Sequence, residues 1–202
     1  MTALLKTFIY LVSSSLFFPV LLILACLVVW ILVYTGSFFR EWISRQRLRD
    51  PGNDLPEMIL TGAYDSCLPH SVIRVIRRLE KLNGKKDQVL VANLLRDAEH
   101  KMWKSLDRLK IMIRLGPGLG LIGTLIPMGT GLASLGQGDI GQLSQELVVA
   151  FTTTVAGMAL GLVSYVLFTI RRRWKEQDIK NIELAAELLC TRVIETRSGK
   201  AA

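Results

Sequence analysis

The stretch LGPGLGLIGTLIPMGTGLASL at residues 115–135 contains no charged residue and is long enough to cross a membrane as a helix. Two further runs share this character, FIYLVSSSLFFPVLLILACLVVWILVY at 8–34 and LVVAFTTTVAGMALGLVSYVLFTI at 147–170. Each exceeds the roughly 18 to 20 apolar residues needed to cross a hydrocarbon core of about 30 Å. The sequence therefore predicts an all-α membrane protein with three transmembrane helices.

The basic residues are confined to the segments that follow these runs. All but one of the 25 Lys and Arg residues lie in 40–114 and 171–200, and the turn at 136–146 has none. Because basic loops stay on the cytoplasmic side, this partition predicts an N-terminus outside and a C-terminus in the cytoplasm. These loops also explain the net charge of +8, so nucleic-acid binding is not expected. The first run is too long for a signal peptide and should remain as an anchor in the bilayer.

The helices are expected to extend beyond the membrane. Apolar residues recur at three- and four-residue steps over 91–113 and 179–193, which predicts amphipathic extensions of the second and third spans that can pack on each other. The Pro- and Gly-rich segment 50–69 predicts turns with at most a short helix, and a helix from Ser71 should break at Asn83. The predicted domains are a transmembrane helix (1–39), a cytoplasmic helical domain (40–114), a transmembrane hairpin (115–170) and a cytoplasmic helix with a tail (171–202).

Small and polar residues form a stripe at helical spacing on each of the last two spans. On the second span the stripe is Gly116, Gly120, Thr124, Pro127, Gly131 and Ser134, and on the third span it is Ala150, Thr154, Gly157, Gly161 and Ser164. Small residues let helix backbones approach closely in lipid, so packing alone would explain the glycines. A mid-span threonine hydroxyl either bonds back to its own helix or faces a polar cavity. Thr124 and Thr154 are equally far from Asp139, so a hairpin centred there would place them at one depth.

Charged residues are absent from the interior of all three runs. Between 115 and 170 the acids are Asp139 and Glu146, which can cap a helix or guard a pore mouth. An ion path normally needs a titratable group inside the membrane, so this chain must borrow one or conduct nothing. The two histidines and three cysteines lack the spacing of a metal site or a disulfide, and no cofactor is expected. No catalytic triad or carboxylate pair is visible, which argues against an enzyme.

Two motifs resemble those of the MotA/TolQ/ExbB proton-channel family, and they occur in the same order along the chain as in the family. The sequence LKIMIRLGPGLGLIGT at 109–124 is similar to the entry of the family's second span, whose hallmark is L-G-L-x-G-T. The sequence AFTTTVAGM at 150–158 is similar to its third-span motif, A-L-x-x-T-x-x-G-L. The length and the single span before the cytoplasmic domain are more like TolQ and ExbB than MotA. The chain departs from the family pattern at Val149, where the ExbB and TolQ type often carries a glutamate.

The resemblance implies a homopentamer in the bacterial inner membrane, surrounding a dimer of a single-span partner of the ExbD, TolR or MotB type. The partner would supply a membrane aspartate, and Thr124 and Thr154 match the pore-lining threonines that face it. Proton entry would neutralise that aspartate and turn ion flow into mechanical work. From the residues alone, a non-conducting membrane scaffold or transporter subunit stays open, as does the choice between proton and sodium.

Overall fold

The computed structural model describes residues 2–48, 54–82 and 88–198, and over these residues the chain is helical, without a strand. The elements are α1 (Thr2–Gln46), α2 (Leu55–Thr61), a 3-10 helix (Tyr64–Ser66), α3 (His70–Leu82), α4 (Gln88–Leu135) and α5 (Ile140–Ser198). Within the described ranges, α1, α4 and α5 are each long and apolar enough to cross a membrane. The predicted all-α fold with three spans and long helical extensions is confirmed. The predicted break at Asn83 lies outside the described residues.

The contacts divide the chain into two compact units. The apolar unit comprises Met1–Ser37 and Arg108–Phe168, and the charged unit comprises Phe38–Asp107 and Thr169–Ala202. Helices α1, α4 and α5 contribute to both units because each continues past its apolar run. The divisions fall close to the ends of those runs, where charged residues begin.

In the apolar unit, each long helix has one buried side and one exposed apolar side. On α1, Val20, Leu24 and Ile31 are buried, whereas Phe18 and Val33 are exposed. The exposed apolar side chains of α4 and α5 include Leu121, Leu125, Leu132, Phe151, Val155 and Leu162. Such a surface requires lipid or another protein to cover it.

The turn between α4 and α5 is fixed by backbone geometry and a cap. Gly138 has φ +83°, a conformation that side chains with a Cβ rarely adopt. The Oδ1 atom of Asp139 accepts a hydrogen bond of 2.9 Å from the backbone N–H of Gln142, so this acid caps α5. The four residues between the helices, 136–139, place the midpoint of the hairpin between Gln137 and Gly138.

In the charged unit, α2, α3 and the extensions of α4 and α5 share one core. Helix α3 contributes its buried side, and the rest of the core comes from the other helices and from the segment before α3: Leu55, Ile59, Tyr64, Leu68, Met102, Ile182, Ala185, Ala186 and Leu189. The buried residues of α3 recur at helical steps, namely Val72, Ile73, Ile76 and Leu79. Gly62, with φ +77°, ends α2 by donating its N–H to Met58 O. The predicted packing of the two amphipathic extensions is therefore seen in this core.

Tyr64 ties the 3-10 helix to α3. Its Oη donates a hydrogen bond of 2.9 Å to Glu80 Oε1. Burial, followed by this hydrogen bond to an acid, raises the pKa of Tyr64 above its usual value of 10.0. The phenol therefore stays protonated and acts as a donor at neutral pH.

Candidate functional site

The small-residue stripe of the second span lies on α4 and that of the third span lies on α5, and we call them the α4 stripe and the α5 stripe. The two stripes face each other within one chain. A Cβ built on Gly157 would lie 2.6 Å from Gly116 O and 2.7 Å from Gly120 Cα. A Cβ built on Gly116 would lie 2.8 Å from Gly157 O. Backbone atoms cannot rotate aside as the end of a side chain can, so neither position has room for a side chain. These glycines therefore bring the two helix backbones into direct contact, as small residues do in membrane helix pairs.

The same close approach continues along the hairpin in both directions. A Cβ on Gly161 would lie 2.9 Å from Pro117 Cδ, and a Cβ on Gly131 would lie 3.1 Å from Leu143 Cδ1. Helix α4 passes through Pro117 without interruption, although proline cannot donate the usual backbone hydrogen bond. The hairpin is thus packed from its turn to the region of Gly161.

The other members of the stripes lie on this same packed face. Those that are buried are Pro127, Ser134, Ala150 and Ser164, whereas Thr124 and Thr154 are half-buried. Ser134 Oγ donates to Thr130 O at 3.1 Å. Ser164 Oγ is completely buried and has no hydrogen-bond partner among the described residues. The spacing of the stripes therefore marks the contact face of the α4–α5 hairpin.

Both candidate threonines bond back to their own helix. Thr124 Oγ1 lies 2.8 Å from Leu121 O, and Thr154 Oγ1 lies 3.2 Å from Ala150 O. Because a carbonyl oxygen can only accept, each hydroxyl must donate its proton to it. The remaining lone pairs of the hydroxyl oxygen can then accept a hydrogen bond. Each threonine accordingly offers an acceptor to water, to hydronium or to a protonated carboxyl group.

The backbones of Thr124 and Thr154 are not level with each other in the hairpin. Thr154 Cα lies 3.5 Å from a Cβ built on Gly120, so Thr154 faces Gly120, one helical turn away from Thr124. The expectation of equal depth took Asp139 as the centre of the hairpin. Asp139 is instead the cap of α5, and the true midpoint precedes it. The offset is therefore about one turn, or roughly 5 Å.

Thr153 was not among the site residues predicted from the sequence, yet it is more deeply buried than Thr124 or Thr154. Its side chain is 6% exposed, and its Oγ1 donates to Ala150 O at 2.8 Å. The Thr153 Oγ1 atom lies 3.0 Å from a Cβ built on Gly123. The signal was present in the sequence, because Thr153 is three residues after Ala150 and four before Gly157. These are the steps that define one face of a helix.

A separate polar site in the charged unit joins the end of α1 to α5. Asp178 is 1% exposed and receives two hydrogen bonds from the Arg45 guanidinium, of 3.0 Å and 2.7 Å. The guanidinium carbon also lies 5.0 Å from the ring centroid of Trp174, which stacks on Phe38 at 5.2 Å. Lys175 Nζ lies 3.7 Å from Asp178 Oδ2. A buried carboxylate is thus paired with two cations, as its burial requires.

The sequence contained an unused indication of this site. Asp178 is four residues before Ile182 and seven before Ala185, so helical spacing places it on the buried side of α5. A buried acid requires a cationic partner. The identity of that partner was not predictable, because Arg45 is 133 positions away in the sequence.

These features define a multi-pass membrane protein whose second and third spans form a glycine-packed hairpin. Hydroxyls lie along its interior, and its two acids, Asp139 and Glu146, lie within two helical turns of the connecting turn. The sequence profile of the MotA/TolQ/ExbB proton channel family matches residues 72–184, which make up more than half of the chain. The chain belongs to this family, and the resemblance found in its motifs is confirmed. Members of the family are channel or transducer subunits rather than enzymes. No curated protein and no solved structure was found to match.

Proposed function

We propose that this protein is the ring-forming subunit of an ion-driven motor complex in a bacterial inner membrane. Five copies surround a dimer of a single-span partner of the ExbD, TolR or MotB type, and protons are the driving ion. The partner helix carries an aspartate inside the membrane. Ion entry neutralises this aspartate, the partner helices shift against the ring, and the shift performs work in the cell envelope.

The observation that carries the proposal is a membrane hairpin with acceptor hydroxyls at Thr124 and Thr154 and acids only within two helical turns of its connecting turn. Asp139 and Glu146 are the acids of 115–170. Asp139 caps α5, and half-buried Glu146, whose Cβ lies 3.2 Å from a Cβ built on Gly131, is eight residues from Thr154 on the side of the turn. A transmembrane proton path needs a group that binds and releases a proton at near-neutral pH. Threonine hydroxyls do not ionise in this range, so the titrating group must come from a partner.

The positions of Thr124 and Thr154 suit a carboxyl group that changes its charge. A protonated carboxyl can donate to a threonine oxygen, whereas a carboxylate cannot and is left poorly solvated. The backbones of Thr124 and Thr154 are offset by about one turn, so a carboxyl on the partner helix can meet one hydroxyl and then the other as that helix shifts by a few ångströms. The hydroxyls therefore give the neutral form of the partner a favourable path along the helix.

The decisive experiment is purification of the chain with a neighbour-encoded single-span protein that has one aspartate near the start of its span. Native mass spectrometry of the detergent-solubilised complex should give five copies of this chain with two of the partner. A chain that purifies without any such partner, or in another stoichiometry, would refute the motor and favour a non-conducting scaffold.

A further inference from the structure

Helix α3 has a strongly basic side opposite its buried side. We call it the basic surface: His70, Arg74, Arg77, Arg78 and Lys81, which border a groove of about 390 Å³. Among the described residues, Arg77 is the member of this surface that forms an ion pair, with Asp65 at 2.8 Å. The pair is more than half exposed, so water screens it. Several like charges on one short helix repel each other and favour an anionic partner.

A second groove, of about 240 Å³, lies between α4 and α5 in the same unit. Leu95, Ile179 and Ile182 give it an apolar floor, and Glu99, Glu183 and Arg96 also line it. Glu187 is exposed one turn beyond Glu183 on the same side of α5. Neither Glu183 nor Glu187 forms a salt bridge within the described part of the chain. We call Glu99, Glu183 and Glu187 the acidic surface.

The basic and acidic surfaces lie at one level along α5. The core that includes α3 contains Ile182, Ala185, Ala186 and Leu189 of α5. Glu183 and Glu187 belong to the same stretch of that helix. Copies of a subunit in a ring are related by rotation about a single axis, so surfaces that touch must lie at equal height. A contact between neighbours in such a ring also joins two different surfaces of the chain.

We propose that the basic surface of each copy docks against the acidic surface of the next copy, closing the ring outside the membrane. The inference rests on the proposed ring and identifies the faces that close it. Charge complementarity selects the occupant, because two carboxylates that form no salt bridge among the described residues, with an apolar groove beside them, match a row of cations of which Arg77 is the one in a close ion pair there. Docking buries the groove between α4 and α5, and the carboxylates offset the repulsion among the cations of the basic surface.

The location of α3 disfavours anionic lipid as the occupant. Ile182 is eleven residues beyond Arg171, the first basic residue after the third apolar run. At 1.5 Å per residue, this is roughly 16 Å along α5. Attraction between exposed charges is largely screened beyond about 8 Å at physiological salt. Lipid headgroups at the membrane surface are therefore too distant to neutralise α3 effectively.

The test is a charge exchange in the full-length chain, purified with its partner. Arg74→Glu with Lys81→Glu, and separately Glu183→Lys with Glu187→Lys, should each lower the fraction of assembled ring by roughly tenfold, because like charges then face each other. Combining all four changes should restore the ring. Reversal of two exposed cations on α4 outside both surfaces, Lys104→Glu with Arg108→Glu, serves as the matched control. Native mass spectrometry gives the fraction of ring in each case.

The outcomes separate this interface from the proposed function. Rings that survive both reversals, or four changes that fail to restore assembly, would overturn the interface while leaving the ring itself intact. A wild-type chain that forms no ring would instead reject the proposed function and this inference with it. A second measurement covers variants that fail to fold: one copy with Arg74→Cys and another with Glu183→Cys should form a disulfide between copies. Absence of that link in an assembled ring would also overturn the proposal.

Discussion

The glycines of the hairpin act through the absence of a side chain. At Gly157 a single methyl group would have to enter the space of Gly116 O and Gly120 Cα, both backbone atoms. Overpacking of this kind forces the backbones apart, and with them every other contact along the two stripes. Gly129 on α4 offers a contrast, since a Cβ built there meets nothing within 4 Å.

We therefore expect Gly157→Ala to lower the free energy of unfolding by about 1 to 3 kcal/mol. Gly129→Ala should leave it unchanged or raise it slightly, because alanine restricts the unfolded chain more than glycine does. The check is the unfolding midpoint of each variant in mild detergent, titrated with SDS. Equal effects at both positions would mean that the α4–α5 contact does not have the closeness described.

The sequence predicted the contact face at residue level but not what covers it. Steps of three and four fix which residues share a side of a helix, and they correctly grouped Gly116, Gly120, Gly157 and Gly161. Spacing contains no information on whether the facing helix belongs to the same chain or to a neighbour. The backbones of Thr124 and Thr154 are not at the equal level that was expected, for a related reason: the register of a hairpin depends on where the turn begins and ends. That depended on Gly138 and the cap at Asp139.

At the scale of elements, the helices are long because each apolar run continues without a helix-breaking sequence into an amphipathic extension. This continuity follows from periodicity, and it was predicted for α4 and α5. The connection between the end of α1 and α5 was not, because it depends on Arg45 and Asp178, which are distant in sequence. The buried pair holds these two helices together where the basic segments begin.

We predict that Asp178→Asn destabilises the charged unit by about 3 kcal/mol, because it removes the buried carboxylate that pairs with both Arg45 and Lys175 and leaves Arg45, among the described residues, only its longer ion pair with Glu41, at 3.7 Å. Replacing both members of the pair, with Arg45→Leu and Asp178→Leu, should cost less than the single change. Asp65→Asn removes an exposed pair and should cost less than about 1 kcal/mol. Thermal unfolding followed by tryptophan fluorescence compares the three variants. A single change at Asp178 that is no worse than Asp65→Asn would show that the pair is not structurally important.

At the scale of the whole molecule, hydropathy gives the number of membrane spans, and the distribution of charge predicts their orientation across the membrane. The count of three spanning helices agrees with the structure over its described residues. The direction is a prediction from the distribution of Lys and Arg. Sequence periodicity predicted that the extensions of α4 and α5 pack on each other, but not that α2, the 3-10 helix and α3 complete the same core.

The predicted direction can be checked by labelling single cysteines in intact spheroplasts. In a background with Cys26, Cys67 and Cys190 replaced, Gln142→Cys in the α4–α5 turn should react with an impermeant maleimide. Gln177→Cys, exposed on α5 in the charged unit, should react only after the membrane is made permeable. The reverse pattern would place the charged unit on the outside and contradict the positive-inside assignment.

The central claim is that Thr124 and Thr154 line an ion path that uses an acid from the partner. Each hydroxyl donates to its own helix, so Thr→Val keeps the shape of the side chain while removing the acceptor offered to the path. Thr169, at the other end of α5's apolar run, is the matched control.

The most direct measurement is proton flux into liposomes containing the assembled complex, with assembly confirmed for every variant by its stoichiometry. We predict that Thr124→Val and Thr154→Val each reduce partner-dependent flux by at least about tenfold, which corresponds to a loss of roughly 1.4 kcal/mol of stabilisation along the path. Thr169→Val should conduct almost normally. Normal flux in both Thr124→Val and Thr154→Val, or flux from this chain without its partner, would contradict the claim.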